Sequence, residues 1–130
     1  MQEKLLGSIG RDMEDLLPHL RERAEALAEK AKQKLRERGE KEAADMAAIL
    51  QQQRERIQKR ADQFEHRQLE IEFDAEERRQ IEADKKHWQR RLVALRDEQD
   101  REPERIRAAY EVKATRIEPL GIVYLWPTSG

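Results

Sequence analysis

The chain has 130 residues, 42% of them charged and 37% hydrophobic, with 27 Lys and Arg against 28 Asp and Glu for a formal net charge of -1. A mean hydropathy of -1.09 and the lack of any run of roughly 18 apolar residues exclude a membrane-spanning helix, and zero cysteines exclude a disulfide scaffold and thiolate metal ligands. Near-neutral charge argues against strong overall attraction to DNA or anionic lipid, while five glycines and four prolines leave few loops on which to build an active site.

Met1-Gln2-Glu3-Lys4 opens no apolar run ending in a cleavage site, so no signal peptide is expected; with the missing cysteines this fits a cytoplasmic protein. Gly7 and Gly10 fall in a short lead. Pro18 suits the first turn of a helix, where its missing N–H has no partner. Leu17, Leu20, Ala24, Leu27, Ala31 and Leu35 then recur at three- and four-residue steps on one helical face. Arg36-Glu37-Arg38 followed by Gly39 reads as a helix stop, cations in the last turn before a glycine cap. This predicts a first helix over about 11–38.

A second helical run starts at Glu40 and meets no Gly or Pro before Pro103. Ala43, Leu50, Ile57, Phe64, Ile71, Arg78, Lys85 and Leu92 keep one seven-residue register. Met46, Gln53, Arg60, Arg67, Asp74, Ile81, Trp88 and Leu95 keep its companion. The seam is apolar at both ends and polar in the middle, which suits an antiparallel hairpin better than a parallel zipper. Leu69, Ile71 and Phe73 alternate with Glu70 and Glu72, and Asp74-Ala75-Glu76-Glu77 then reads as a capping box. A hinge near residues 72–75 is therefore expected, against the alternative of one uninterrupted helix. The predicted helices span about 40–71, 75–101 and a short 103–109.

From Tyr110 to Ile117 the residues alternate with period two, Pro119-Leu120-Gly121 supplies a turn, and Ile122-Val123-Tyr124-Leu125-Trp126 is continuously apolar before Pro127. The expected fold class is mainly α, an antiparallel coiled-coil or three-helix arrangement over 1–109 with a small C-terminal β-hairpin over 110–130. An isolated hairpin is marginal in water. The tail, and Ile122, Tyr124, Leu125 and Trp126 in particular, must dock either on the chain's own helices or on a partner.

The sequence carries little catalytic chemistry. His19, His66 and His87 are scattered, and Asp84 with His87 makes only half a metal site. Ser8 and Ser129 lie in no nucleophile elbow, and no Gly-rich phosphate loop is present. No catalytic, metal-binding or cofactor-binding residue is assigned, and the chain alone is expected not to be an enzyme. Lys30, Lys34 and Arg38 line one helical face, and Arg54, Arg56, Lys59 and Arg60 form a second cluster. Of these, Lys30, Lys34, Arg38, Arg54 and Lys59 are the candidate nucleic-acid contacts. Acids interleave with them, Glu25 with Arg21, Glu29 with Lys32, Glu37 with Lys41 and Glu55 with Lys59, which favours a self-neutralised solvated face.

The stretch Pro103-Glu104-Arg105-Ile106-Arg107-Ala108-Ala109-Tyr110-Glu111-Val112, continuing through Arg116-Ile117-Glu118-Pro119-Leu120-Gly121-Ile122-Val123-Tyr124-Leu125-Trp126-Pro127, resembles the C-terminus of large bacterial Swi/Snf-type helicases, including the helicase subunit of the DISARM phage-defence system. Glu77-Arg78-Arg79-Gln80 and His87-Trp88-Gln89-Arg90-Arg91-Leu92 are similar to the charged helical region before that ending, and so is the run from Gly39 to Ile57. The Tyr-Leu-Trp-Pro tail is the distinctive part. The resemblance implies a fragment whose ATP- and Mg-binding motifs lie upstream, so no catalytic residue carries over. It implies an accessory arm whose partner is the remainder of a helicase polypeptide or another protein, with weak DNA contact. The alternatives are a free-standing coiled-coil scaffold that forms a homo-oligomer through its seam or hairpin, and a DNA-binding arm.

Overall fold

The computed structural model describes the backbone of residues 2–70 and 72–125 and the side chains of 3–68 and 72–125. The fold is mainly helical, with two helices, α1 (Gln2–Glu70) and α2 (Ala75–Ala109), where three longer helices and a short one were expected. The chain divides into two compact units, Leu35–Glu111 and, separately, the residues up to Lys34 together with those from Val112 onward.

The break expected near residues 72–75 is present. Residues 72–74 are non-helical, and Asp74 caps α2 with its side chain accepting from the backbone N–H of Glu76 (2.9 Å) and Glu77 (2.8 Å). Glu77 returns the contact to the N–H of Asp74 at 3.1 Å, completing the capping box. Ile71 and the side chain of Leu69, the other half of the alternation read at this hinge, lie outside the described residues.

The other predicted breaks are absent. Gly7, Gly10, Pro18 and Gly39 all lie inside α1, and Pro103 lies inside α2. A helix-interior glycine costs only about 1 kcal/mol against alanine, which good helix formers on both sides of Gly39 absorb. Gly39 is buried and carries no positive φ, so it does not cap a helix. Its lack of a side chain makes room for the Tyr110 ring: a Cβ built there would stand 3.0 Å from the Tyr110 Cβ and 3.2 Å from its ring atoms. Pro103 is likewise buried rather than terminal.

Within Leu35–Glu111 the two helices form an antiparallel pair. Contacts link Gly39 to Tyr110, Glu40 to Arg107, Gln51 to Gln99, Phe64 to Trp88 and Glu65 to Lys85, so position on one helix rises as position on the other falls. Ala43, Leu50, Ile81 and Leu95 are the buried apolar residues. Phe64 and Trp88 close the hinge end edge to face, with ring centroids 5.4 Å apart.

The heptad frame holds only in part. Ala43, Leu50, Ile57 and Phe64 face inward, but Gln53, Arg60 and Arg67 are exposed, and Ala47, Ala61 and Gln68 are half-buried instead. The inward positions on α1 (43, 50, 61, 68) and on α2 (81, 85, 88, 92, 99, 103, 106, 110) recur at eighteen residues, five turns of a straight helix at about 3.6 residues per turn. Polar seam positions are neutralised in place. Gln99 donates to Gln51 at 2.9 Å, and Arg91 bridges Glu98 at 2.8 Å and Gln53 at 3.4 Å.

The predicted β-hairpin is not found: no described residue forms a strand, and 111–125 runs as irregular chain. A lone two-stranded ribbon leaves both faces wet, whereas this segment places one set of its apolar side chains on α1. Trp126 and Pro127 lie outside the described residues.

Candidate interaction surfaces

The first surface lies in the unit that joins the N-terminal part of α1 to the tail. Tyr124 donates its hydroxyl to Asp12 at 2.6 Å, and the Ser8 hydroxyl lies 2.9 Å from the same carboxylate oxygen. The Tyr124 bond first, and Ser8 second, hold the Asp12 carboxyl below its ordinary value, while Asp12 raises the Tyr124 phenol. A cleft of about 320 Å³ opens beside this latch, with Met13, Leu16, Leu17 and Leu20 on the helix and Pro119 and Ile122 on the tail. Tail and helix therefore meet through Ile122 and Tyr124.

The tail's other face is bare. Leu120, Val123 and Leu125 are 97%, 84% and 91% exposed. Leu16, Leu20 and Leu27 of α1 are also open to solvent. Scattered exposed leucines are ordinary, but a run of them along a tail and a helix makes a candidate interaction surface. Outside the helices, the described backbone hydrogen bonds end at Glu111, whose N–H reaches the Ala108 carbonyl at 3.2 Å.

The second surface is a flank of α1 in the hairpin, beside its seam with α2. Gln53, Arg56, Ile57, Lys59, Arg60 and Gln63 line a shallow concavity of about 540 Å³. Of the basic residues singled out by sequence, Lys30, Lys34, Arg54 and Lys59 are exposed. Arg38 is committed: it bonds Glu42 at 3.0 Å and lies over the Tyr110 ring, 5.9 Å from its centroid. Glu42 sits below the ordinary carboxylate range because Tyr110, then Arg38, hydrogen-bonds it, and the Tyr110 phenol is pushed up in return. The expected Glu29–Lys32 pair forms at 2.8 Å, while Glu55 accepts from Gln51 at 2.8 Å. The structure therefore separates residues that share one list in the sequence. Arg56 and Arg60 join Lys59 in one concavity, whereas Lys30 and Lys34 belong to the other unit.

Among the described residues no cluster of three or more His, Asp or Glu could hold a metal ion, and no helix is long and apolar enough to cross a membrane. Sequence reasoning missed Asp12, whose partner lies 112 positions away, and Gly39, whose partner is Tyr110. Neither has a local signal. Comparison of the chain with protein-family models, with curated proteins and with solved structures finds no match in any of the three.

Proposed function

We propose that the chain is a non-catalytic helical arm that docks a larger protein through its tail, and that the larger protein is the ATPase body of a bacterial Swi/Snf-type helicase. The observation that carries the docking role is the two-sided tail, with Tyr124 and Ile122 turned to α1 and Leu120, Val123 and Leu125 turned to solvent. The resemblance of the Tyr-Leu-Trp-Pro ending supports the choice of body. In that parent the upstream motifs would bind ATP and Mg, this arm would hold none of the reacting groups, and a DISARM-like parent would place it in phage defence.

The test is a binding measurement between the chain and the Swi/Snf-type ATPase of the same genome, together with the reading frame upstream of Met1. Burying three such side chains is worth about 1.5–3 kcal/mol each. Leu120→Asp, Val123→Asp and Leu125→Asp together should weaken binding by at least about 1,000-fold on that scale. Binding unaffected by the three substitutions would rule the tail out as the docking element. A reading frame without ATPase motifs and no binding would remove the helicase.

A second reading, a coiled-coil scaffold without a nucleic-acid role, is favoured by the exposed Leu16, Leu20 and Leu27. It predicts a dimer by light scattering that becomes a monomer on Leu20→Glu with Leu27→Glu.

A further inference from the structure

The overall charge of -1 conceals a strong segregation. Residues 51–67 and 82–96, which form the hinge-side half of the helical hairpin, hold ten Lys and Arg against five Asp and Glu. The rest of the chain holds seventeen against twenty-three. The hinge-side half thus carries a net charge of +5 in a chain that is slightly acidic.

Four of the five acids there have a side-chain partner, three of them a glutamine amide. Glu55 accepts from Gln51 at 2.8 Å, Asp62 from Gln58 at 3.1 Å, and Glu65 faces Lys85 at 3.9 Å. Among the described residues no ion pair engages Arg56, Lys59 or Arg60. These three cations line the 540 Å³ concavity with the amides of Gln53 and Gln63, and no carboxylate lines it. Positions 53, 56, 60 and 63 lie along one helical face, spanning about 15 Å at roughly 1.5 Å per residue. That is the reach of about four phosphates at about 3.4 Å per strand step.

We infer that this face, centred on Arg56, Lys59 and Arg60, is a contact site for the sugar–phosphate backbone of duplex nucleic acid. Two guanidinium forks and two amide donors suit phosphate oxygens, and the shallow, open shape suits a rod laid along the helix. Base stacking has no platform here, because Trp88 and Phe64 are spent on each other. The contact therefore reads backbone rather than sequence. It does not depend on the helicase reading, and losing one leaves the other standing.

The experiment is fluorescence anisotropy of a labelled 20-base-pair duplex titrated with the full chain. Three phosphate contacts give a slope of about -2.7 in log affinity against log salt, or about 40-fold weaker binding at roughly 200 mM than at roughly 50 mM. Arg56→Glu, Lys59→Glu and Arg60→Glu together should weaken binding by more than tenfold with the circular dichroism unchanged. Arg78→Glu with Arg79→Glu, outside the concavity, should change it less than twofold. Affinity independent of salt, or indifferent to the triple substitution, overturns the site. Equal or tighter binding of polyglutamate would assign the face to an acidic protein and overturn it as well, as would displacement of the duplex by inorganic phosphate at matched ionic strength.

Discussion

A single methyl group at position 39 tests the register of the helical hairpin. Gly39→Ala in the middle of a long helix would ordinarily stabilise by about 1 kcal/mol. Here the added carbon would meet the Tyr110 Cβ at 3.0 Å and two ring atoms at 3.2 Å, inside the roughly 3.5–4.0 Å at which carbon atoms rest comfortably. Tyr110 cannot swing away freely, since Arg38 covers its ring. Overpacking of this kind costs about 1–3 kcal/mol, so the expected net effect runs from near zero to about 2 kcal/mol destabilising. In a Tyr110→Gly background, which removes the Cβ as well as the ring, the obstruction is gone and the same substitution should stabilise by up to about 1 kcal/mol. Urea unfolding followed by far-ultraviolet circular dichroism, run as a double-mutant cycle, should return a coupling of about 1–3 kcal/mol. Equal stabilisation by Gly39→Ala in both backgrounds would show that Tyr110 does not pack on Gly39, and the register would be wrong.

Further perturbations probe the other contacts. Phe64→Leu and Trp88→Leu should each destabilise the hairpin, with a coupling of about 0.5–1.5 kcal/mol from the edge-to-face pair in the same urea assay. Asp74→Ala removes the cap of α2 and should cost about 1 kcal/mol, with amide exchange accelerated in the first turn. Gly10→Ala meets nothing within 4 Å and should stabilise its helix by up to about 1 kcal/mol. The Tyr124–Asp12 latch is pH-dependent with a definite sign. The folded Asp12 carboxyl titrates below its ordinary 3.8, so the latch is at full strength above that value and is lost as pH falls through the lower folded value. Nuclear magnetic resonance shifts of residues 112–125 should follow that loss, and Tyr124→Phe should flatten the profile.

What could be read from sequence and what could not separates by the distance between partners. The capping box at Asp74 and Glu77 is complete within four residues, so the hinge was legible and the structure has it. Ala43, Leu50, Ile81 and Leu95 were legible as seam positions because their spacing alone selects a face. Gly39 was not, since its neighbours Arg36 and Arg38 write a helix stop while its role is set by a tyrosine 71 positions on. Pro18 and Pro103 misled similarly: each removes one backbone donor, a local cost that a long helix tolerates. The run from Ile122 read as a continuously apolar strand, whereas Ile122 and Tyr124 meet a helix and Val123 and Leu125 stay in solvent. The basic face was visible as Arg54 to Arg60, and near-zero net charge argued against it. Only the hairpin, by gathering 51–67 and 82–96, shows that the balance is global and the excess local.

Hydrogen–deuterium exchange of residues 112–125, with and without the Swi/Snf-type ATPase body, tests the docking claim most directly. Free, the tail's backbone amides should exchange fast, since the described backbone–backbone hydrogen bonds outside the helices stop at Glu111. Bound, residues 120–125 should gain at least about tenfold protection while the α2 amides hold their rates. Unchanged exchange across the tail in a saturated complex would contradict the claim.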